Sequence, residues 1–291
     1  MQKKSCLFFD NNRYIPSDNV FYKYYALSDN SVDAVTSRYI YASHPNQLND
    51  PYDCDKDMIV FDDEETNRKL LDVLPKKVQE DVLSPEMRPY LPLFFNTIAY
   101  KKCGIFSMTQ KPTNVLMWAH YAGKNGFCVE FDINKFSFDY YGPFLIKYEN
   151  ELPKIFVSKM GLKCSMFKQC TTKLSHWKYE EEWRLIVENP DGQDLQYFGC
   201  LADKLKLGNE HDRRFYYPQE AVRKVILGCE FFDKCSPESN ISENSFSGTK
   251  KEKRLKVKLF RYLLENNISV SCLIKDEVGG YVIVDLNIIK Q

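Results

Sequence analysis

Strand-like segments recur along this chain without the regular alternation with helices that a parallel sheet demands. Phe21-Tyr22-Lys23-Tyr24-Tyr25, Tyr39 to Ala42, Cys103 to Thr109, Phe127 to Asp132, Phe144 to Tyr148, Trp183 to Val187 and Val222 to Leu227 carry aromatic, β-branched or alternating apolar residues. Ser269 to Ile274 and Tyr281 to Leu286, joined at Gly279-Gly280, read as a hairpin. Helical patterning is irregularly placed: a short helix over Val32 to Ser37 capped by Ser28 and Asp29, a compact one over Val115 to Ala122 ended by Gly123 and Gly126, and one over residues 252–265. Residues 63–100, with helical spacing broken at Pro75, Pro85, Pro89 and Pro92, read as a helical insertion. The pattern predicts an α+β fold, mixed and largely antiparallel, as a single domain over 1–291 with that insertion and a helix–hairpin extension at about 250–291.

A hydrophobic share of 44% over 291 residues suffices for one large core. Lys+Arg 40 balance Asp+Glu 40, so no whole-molecule charge draws the chain to nucleic acid or membrane. The apolar stretch Leu7-Phe8-Phe9 is stopped by Asp10, Asn11 and Asn12, too short for a signal peptide, and no run spans a bilayer. A cytoplasmic protein without a membrane partner is expected. None of the ten cysteines forms C-x-x-C, and His44, His120, His176 and His211 are scattered without H-E-x-x-H, so no metal site is expected. Phosphate-binding glycine loops and a G-x-S-x-G elbow are missing from the sequence. Ser236 to Lys253 is polar and suggests a loop. The basic run through Lys250, Lys251, Lys253, Arg254, Lys256 and Lys258 is read as a solvated helix surface, with nucleic-acid guidance as the sharper alternative.

Chemistry concentrates in Trp177-Lys178-Tyr179-Glu180-Glu181-Glu182-Trp183-Arg184. On an extended segment Glu180 and Glu182 share one face and Glu181 takes the other. Paired carboxylates between aromatic rings suit a cationic transition state; the plainer reading is a solvated acidic edge. In Met117 to Ala122, Trp118 and Met117 read as core, whereas Tyr121 and His120 sit at the helix end as site candidates. Lys23 between Tyr22 and Tyr24 offers a cation beside stacking rings, or simply an outward lysine on an edge strand. Asn49-Asp50-Pro51 has turn chemistry. Glu130 and Asp132 with Lys135 leave a metal-dependent nuclease open, and a non-enzymatic interaction module stays open too.

Taken in order, Lys23-Tyr24, Leu48-Asn49-Asp50-Pro51-Tyr52, Phe106-Ser107-Met108-Thr109, Met117 to Ala122, Gly126 to Asp132, Trp177 to Arg184 and Val225-Ile226-Leu227-Gly228 resemble an uncharacterised bacterial family, the domain of unknown function 2971. Leu48 stands where that family usually has Phe. The order of elements also resembles the ADP-ribosyltransferase superfamily. That resemblance implies an ADP-ribosyltransferase-like fold and an enzyme with NAD as substrate. It implies Glu182 and Glu180 as catalytic residues and Lys23, Tyr24, Ser107, Thr109, Tyr121, His120 and Asn49 around NAD. Lys23 departs from the Arg or His usual at its position. Bacterial relatives of this kind imply a toxin or phage-defence effector, a macromolecular acceptor such as RNA, DNA or protein, and an antitoxin or chaperone partner.

Overall fold

The computed structural model describes residues 19–71, 76–90, 93, 103–188, 213–233 and 245–286. Eight strands form one sheet: β1 (Val20–Tyr25), β2 (Cys103–Thr109), β3 (Phe127–Asp132), β4 (Tyr141–Leu145), β5 (Glu182–Glu188), β6 (Val222–Leu227), β7 (Ser269–Lys275) and β8 (Tyr281–Asp285). Their order is β8-β7-β6-β3-β1-β2-β5-β4. All neighbours are antiparallel except β6 and β7, which run parallel. The fold is therefore α+β with a largely antiparallel sheet. The parallel pair is joined by a helical crossover through α5 (Lys250–Glu265).

Period-2 alternation sorts side chains between the two faces. Trp183, Leu185 and Val187 of β5, Phe106 and Met108 of β2, and Phe127, Val129 and Phe131 of β3 enter the main core. Helix α1 (Asp29–Thr36) and α5 cover that face with Val32 and Val35, and with Leu255, Leu259, Phe260 and Leu263. The start of α1 is fixed by a capping box between Ser28 and Ser31. On the other face, Ile105, Ile186, Phe144, Phe167 and Cys170 form a second cluster, and Tyr24, Met117, Trp118, Cys128 and Ile226 a third.

The insertion shows α2 (Glu64–Leu71), α3 (Lys76–Leu83) and a 3-10 turn at Arg88–Tyr90; positions 72–75, 91–92 and 94–100 lie outside the described residues. So do the amino-terminal apolar stretch and residues 236–244 of the expected polar loop, whose last residues from Lys250 belong to α5. Helix α4 (Val157–Cys170) is broken at Gly161, whose φ of 76° is not helical. The compact helix begins as one α-turn, Val115–Met117, and continues as a π-turn, Trp118–Ala122, closed by Gly123 N–H to the Trp118 carbonyl. The wider turn re-aims Tyr121 relative to Trp118, which α-helical spacing alone does not foresee. Among the described residues no helix is long and apolar enough to cross a membrane.

Candidate active site

Three segments meet at the start of β5: the distant turn at residues 49–53, and the short strand Thr172–Leu174 and 3-10 segment Ser175–Glu180 that precede β5 in the chain. Because Trp183 and Leu185 enter the main core, Arg184 must point the other way, where it is wholly buried. A buried guanidinium is tolerated only when its N–H groups find acceptors. Nη1 donates to Asp53 Oδ1 at 2.8 Å and to the Cys170 carbonyl at 2.9 Å. Nη2 donates to Asp53 Oδ2 and, at 3.0 Å, to Glu182 Oε2, while Nε donates to Glu182 Oε1 at 2.7 Å.

Lys173 enters from the Thr172–Leu174 strand and is 2% exposed. Its Nζ donates to Glu180 Oε2 at 2.7 Å and Glu182 Oε2 at 3.3 Å, and lies 3.6 Å from Asp53 Oδ2. Glu180 and Glu182 are themselves 2% and 4% exposed. Three carboxylates (Asp53, Glu180, Glu182) thus share two directly paired cations (Lys173, Arg184), one fewer than their number.

The surplus falls on Glu180, whose pKa is raised by burial and then by the neighbouring Glu182. Burial acts on Glu182 in the same direction. It is outweighed there by Arg184, by Lys173 and by a Ser107 hydrogen bond, which hold Glu182 well below the usual carboxylate range. Burial opposes the charge on Lys173, yet Glu182, Asp53 and Glu180 outweigh it and raise its pKa. Environments that push two adjacent carboxylates apart assign them different protonation roles.

The two carboxylates converge by a route other than the expected shared strand face. Glu180 ends the 3-10 segment, Glu181 adopts a left-handed conformation (φ 43°, ψ 49°), and Glu182 opens β5. The left-handed residue folds the chain back so that its neighbours both point inward, while Glu181 turns to the surface 3.7 Å from Lys111 Nζ. The bland expectation of a solvated acidic edge holds for Glu181 and fails for the outer pair. Tyr148 accepts from the Glu182 N–H at 2.9 Å, and Asn114 donates to the Tyr179 carbonyl at 2.6 Å, fixing both sides of the bend.

Residues 117–185 match the model of a family described as a protein of unknown function (DUF2971). The matched stretch carries the π-turn, β3, Lys173, both buried glutamates and Arg184; Asn49, Asp53, Lys23 and Ser107 lie before it. No curated protein and no solved structure matches the chain.

Of the residues singled out by sequence, Glu180, Glu182, Ser107, Tyr121 and Asn49 are brought together. Tyr121 donates its hydroxyl proton to Glu180 Oε1 and accepts from Asn49 Nδ2 at 3.2 Å. Asn49 is exposed and Tyr121 half-buried, so a hydrogen-bonded path leads from solvent to Glu180. Lys23 lies within electrostatic reach of the two glutamates without bonding them: alternation places it with Phe21 and Tyr25, its ammonium 5.3 Å from the Phe106 ring centroid. It makes no hydrogen bond or ion pair with the described residues, and burial lowers its pKa while Glu182 and Glu180 pull the other way. The ladder between β1 and β2 is reduced there to one pair, Tyr22 with Thr109.

Tyr24 spends its hydroxyl on the Lys111 carbonyl and packs edge-on against Trp118 at 5.3 Å. Thr109 is buried, with Oγ1 accepting from the Lys111 N–H at 3.2 Å. His120 is exposed, 5.9 Å from the Tyr179 ring centroid. Sequence reasoning missed Asp53 and Lys173. A lysine following two threonines in Thr171-Thr172-Lys173, and an acid closing the turn at residues 49–53, were the available signals.

Proposed function

We propose that this chain is an ADP-ribosyltransferase-like enzyme that cleaves the nicotinamide–ribose bond of NAD and transfers ADP-ribose to a macromolecular acceptor. The carrying observation is the split between two adjacent carboxylates: Glu182 locked in its ionised form by Arg184 and Lys173, Glu180 shifted upward and linked to solvent through Tyr121. Cleavage of a glycosidic bond passes through an oxocarbenium-like state that a fixed anion stabilises and a base of raised pKa completes. Glu182 is the fixed anion. Glu180 removes the proton of the incoming nucleophile, with Tyr121 as the intervening hydroxyl. Lys23, an ammonium without a bonded partner, is suited to a phosphate oxygen. Ser107 orients Glu182. A role as a toxin or phage-defence effector, with an antitoxin or chaperone as partner, completes the reading.

Incubating the protein with labelled NAD and fractionated lysate tests it. Glu180→Gln lowers NAD consumption roughly a hundredfold or more, and removes a limb on which wild-type turnover rises with pH through the raised Glu180 pKa. Full turnover in a folded Glu180→Gln protein rejects the assignment.

A second reading, in which the cluster is purely structural and the chain is an interaction module, is favoured by the near-complete burial of both glutamates. It predicts no NAD turnover in any fraction. The nuclease reading loses its acidic pair to other duties: Glu130 accepts from Tyr22 at 3.1 Å and lies 3.5 Å from Arg223, and Asp132 caps Asn134. Among the described residues no group of three His, Cys, Asp or Glu could hold a metal ion.

A further inference from the structure

Beside the carboxylate pair lies a strip of aromatic rings that the chemistry above does not use. Trp177 and Tyr179, on the 3-10 segment, have ring centroids 6.1 Å apart and planes inclined by 39°. His120, at the end of the π-turn, continues the strip 5.9 Å from Tyr179 at 36°. The rings come from two elements that the Asn114 bond to the Tyr179 carbonyl ties together. Trp177 and Tyr179 are half-buried and His120 is exposed.

Three features separate this strip from ordinary surface aromatics. The Trp177 indole N–H, the Tyr179 hydroxyl and the His120 ring nitrogens form no hydrogen bond with the described residues, leaving polar edges free on rings that are half-buried or, at His120, exposed. The Lys173 ammonium sits 4.8 Å from the Trp177 ring centroid and supports that ring from one side. The same ammonium bonds Glu180 and Glu182, so strip and carboxylates are contiguous. Rings with free polar edges suit a planar heterocycle, which gains stacking area and edge hydrogen bonds together. An aliphatic or purely anionic ligand would use neither.

We propose that Trp177, Tyr179 and His120 form a stacking site for a nucleobase. The proposal deepens the ADP-ribosyl transfer reading, and rests on it for the identity of the substrate, because it makes one reactant at the carboxylates a nucleotide held by its base. Two sources share this chemistry: a free mononucleotide portion, as in NAD, and an exposed base of a single-stranded nucleic acid.

The test measures binding without turnover. Fluorescence polarisation with 1,N6-ethenoadenosine monophosphate and, separately, with a labelled single-stranded oligoadenylate gives one affinity for each source. Saturable binding in either arm, weakened roughly tenfold or more by Trp177→Ala and by His120→Ala but retained in Trp177→Phe, is the expected result. Binding of the mononucleotide assigns the site to a free nucleotide, and binding of the oligonucleotide alone assigns it to a strand. His120 is exposed, so its variant tests the site even if Trp177→Ala fails to fold, and melting curves establish which variants are folded. Absence of saturable binding in both arms, or equal affinity in folded alanine variants and wild type, overturns the proposal. Glu180→Gln separates the two ideas: loss of turnover with base binding intact supports both, whereas base binding in a wild-type protein that never consumes NAD leaves the stacking site and removes the transferase.

Discussion

Lys173 decides the balance of the buried cluster. With it, three carboxylates face two cations; in Lys173→Met they face Arg184 alone. Removing one partner from a buried ion network strands the others out of water, at a cost of about 3–5 kcal/mol. The loss depends on pH in a definite direction. A carboxyl whose folded pKa is raised binds a proton more readily in the folded than in the unfolded chain, so its contribution is present at low pH and lost as pH rises through the folded value. Losing Lys173 raises Glu180 further, and the stability deficit of Lys173→Met grows from weakly acidic to neutral pH. Urea unfolding of wild type and variant at both pH values measures it, and a deficit under 1 kcal/mol at neutral pH, or one indifferent to pH, contradicts the network as drawn. The sequence exposed the glutamates and Arg184 as neighbours along the chain. It hid Asp53 and Lys173, because their partnership exists only after the 49–53 turn and the 172–174 strand close on β5.

Among the elements, the junction between the 3-10 segment and β5 shows where a pattern argument stops. Trp183, Leu185 and Val187 all enter the main core, because packing against a core enforces period 2 along a strand. Extending the same alternation back to Glu180 failed at Glu181, whose left-handed conformation resets the direction of the chain. A non-glycine residue there is strained on the order of 1 kcal/mol. Glu181→Gly therefore leaves the melting temperature unchanged or slightly raised, its relief of strain offset by greater freedom in the unfolded chain. Glu181→Val, β-branched and poorly tolerated in that region, costs roughly 1–3 kcal/mol. If the bend is what brings Glu180 to Glu182, the valine variant also loses NAD turnover while the glycine variant keeps it. Equal melting temperatures for the two variants would mean that the position tolerates an extended backbone. The π-turn was illegible for a related reason: Val115 to Ala122 has helical composition, and nothing local announces the extra residue that re-aims Tyr121 towards Glu180.

Across the whole molecule, the strands were readable one at a time, but their order was not, since β1 pairs with β3 and β2 pairs with β5 across long separations that alternation does not encode. The carboxyl-terminal third shows the consequence. The basic run Lys250 to Lys258 reads as one solvated surface, yet Lys256 is fully buried beneath α5. Its Nζ donates to Asn125 Oδ1 and the Phe231 carbonyl at 2.8 Å, and to the Ser247 Oγ and carbonyl at 2.8 and 3.0 Å. It also lies 4.9 Å from the Phe231 ring centroid. One side chain thereby ties the turn before β3, the segment after β6 and the approach to α5, the three pieces that must meet for the parallel β6–β7 crossover to close. Carbonyls gathered around an ammonium repel one another once it is gone. Lys256→Met is therefore expected to cost about 3–5 kcal/mol and to speed amide exchange selectively at residues 228–233 and 245–247. Lys258→Met, on the exposed side of the same helix, stays within about 0.5 kcal/mol of wild type. Should the two methionine variants unfold alike, the crossover is held by the apolar contacts of Leu255, Leu259 and Leu263 alone, and the ammonium merely fills space they leave.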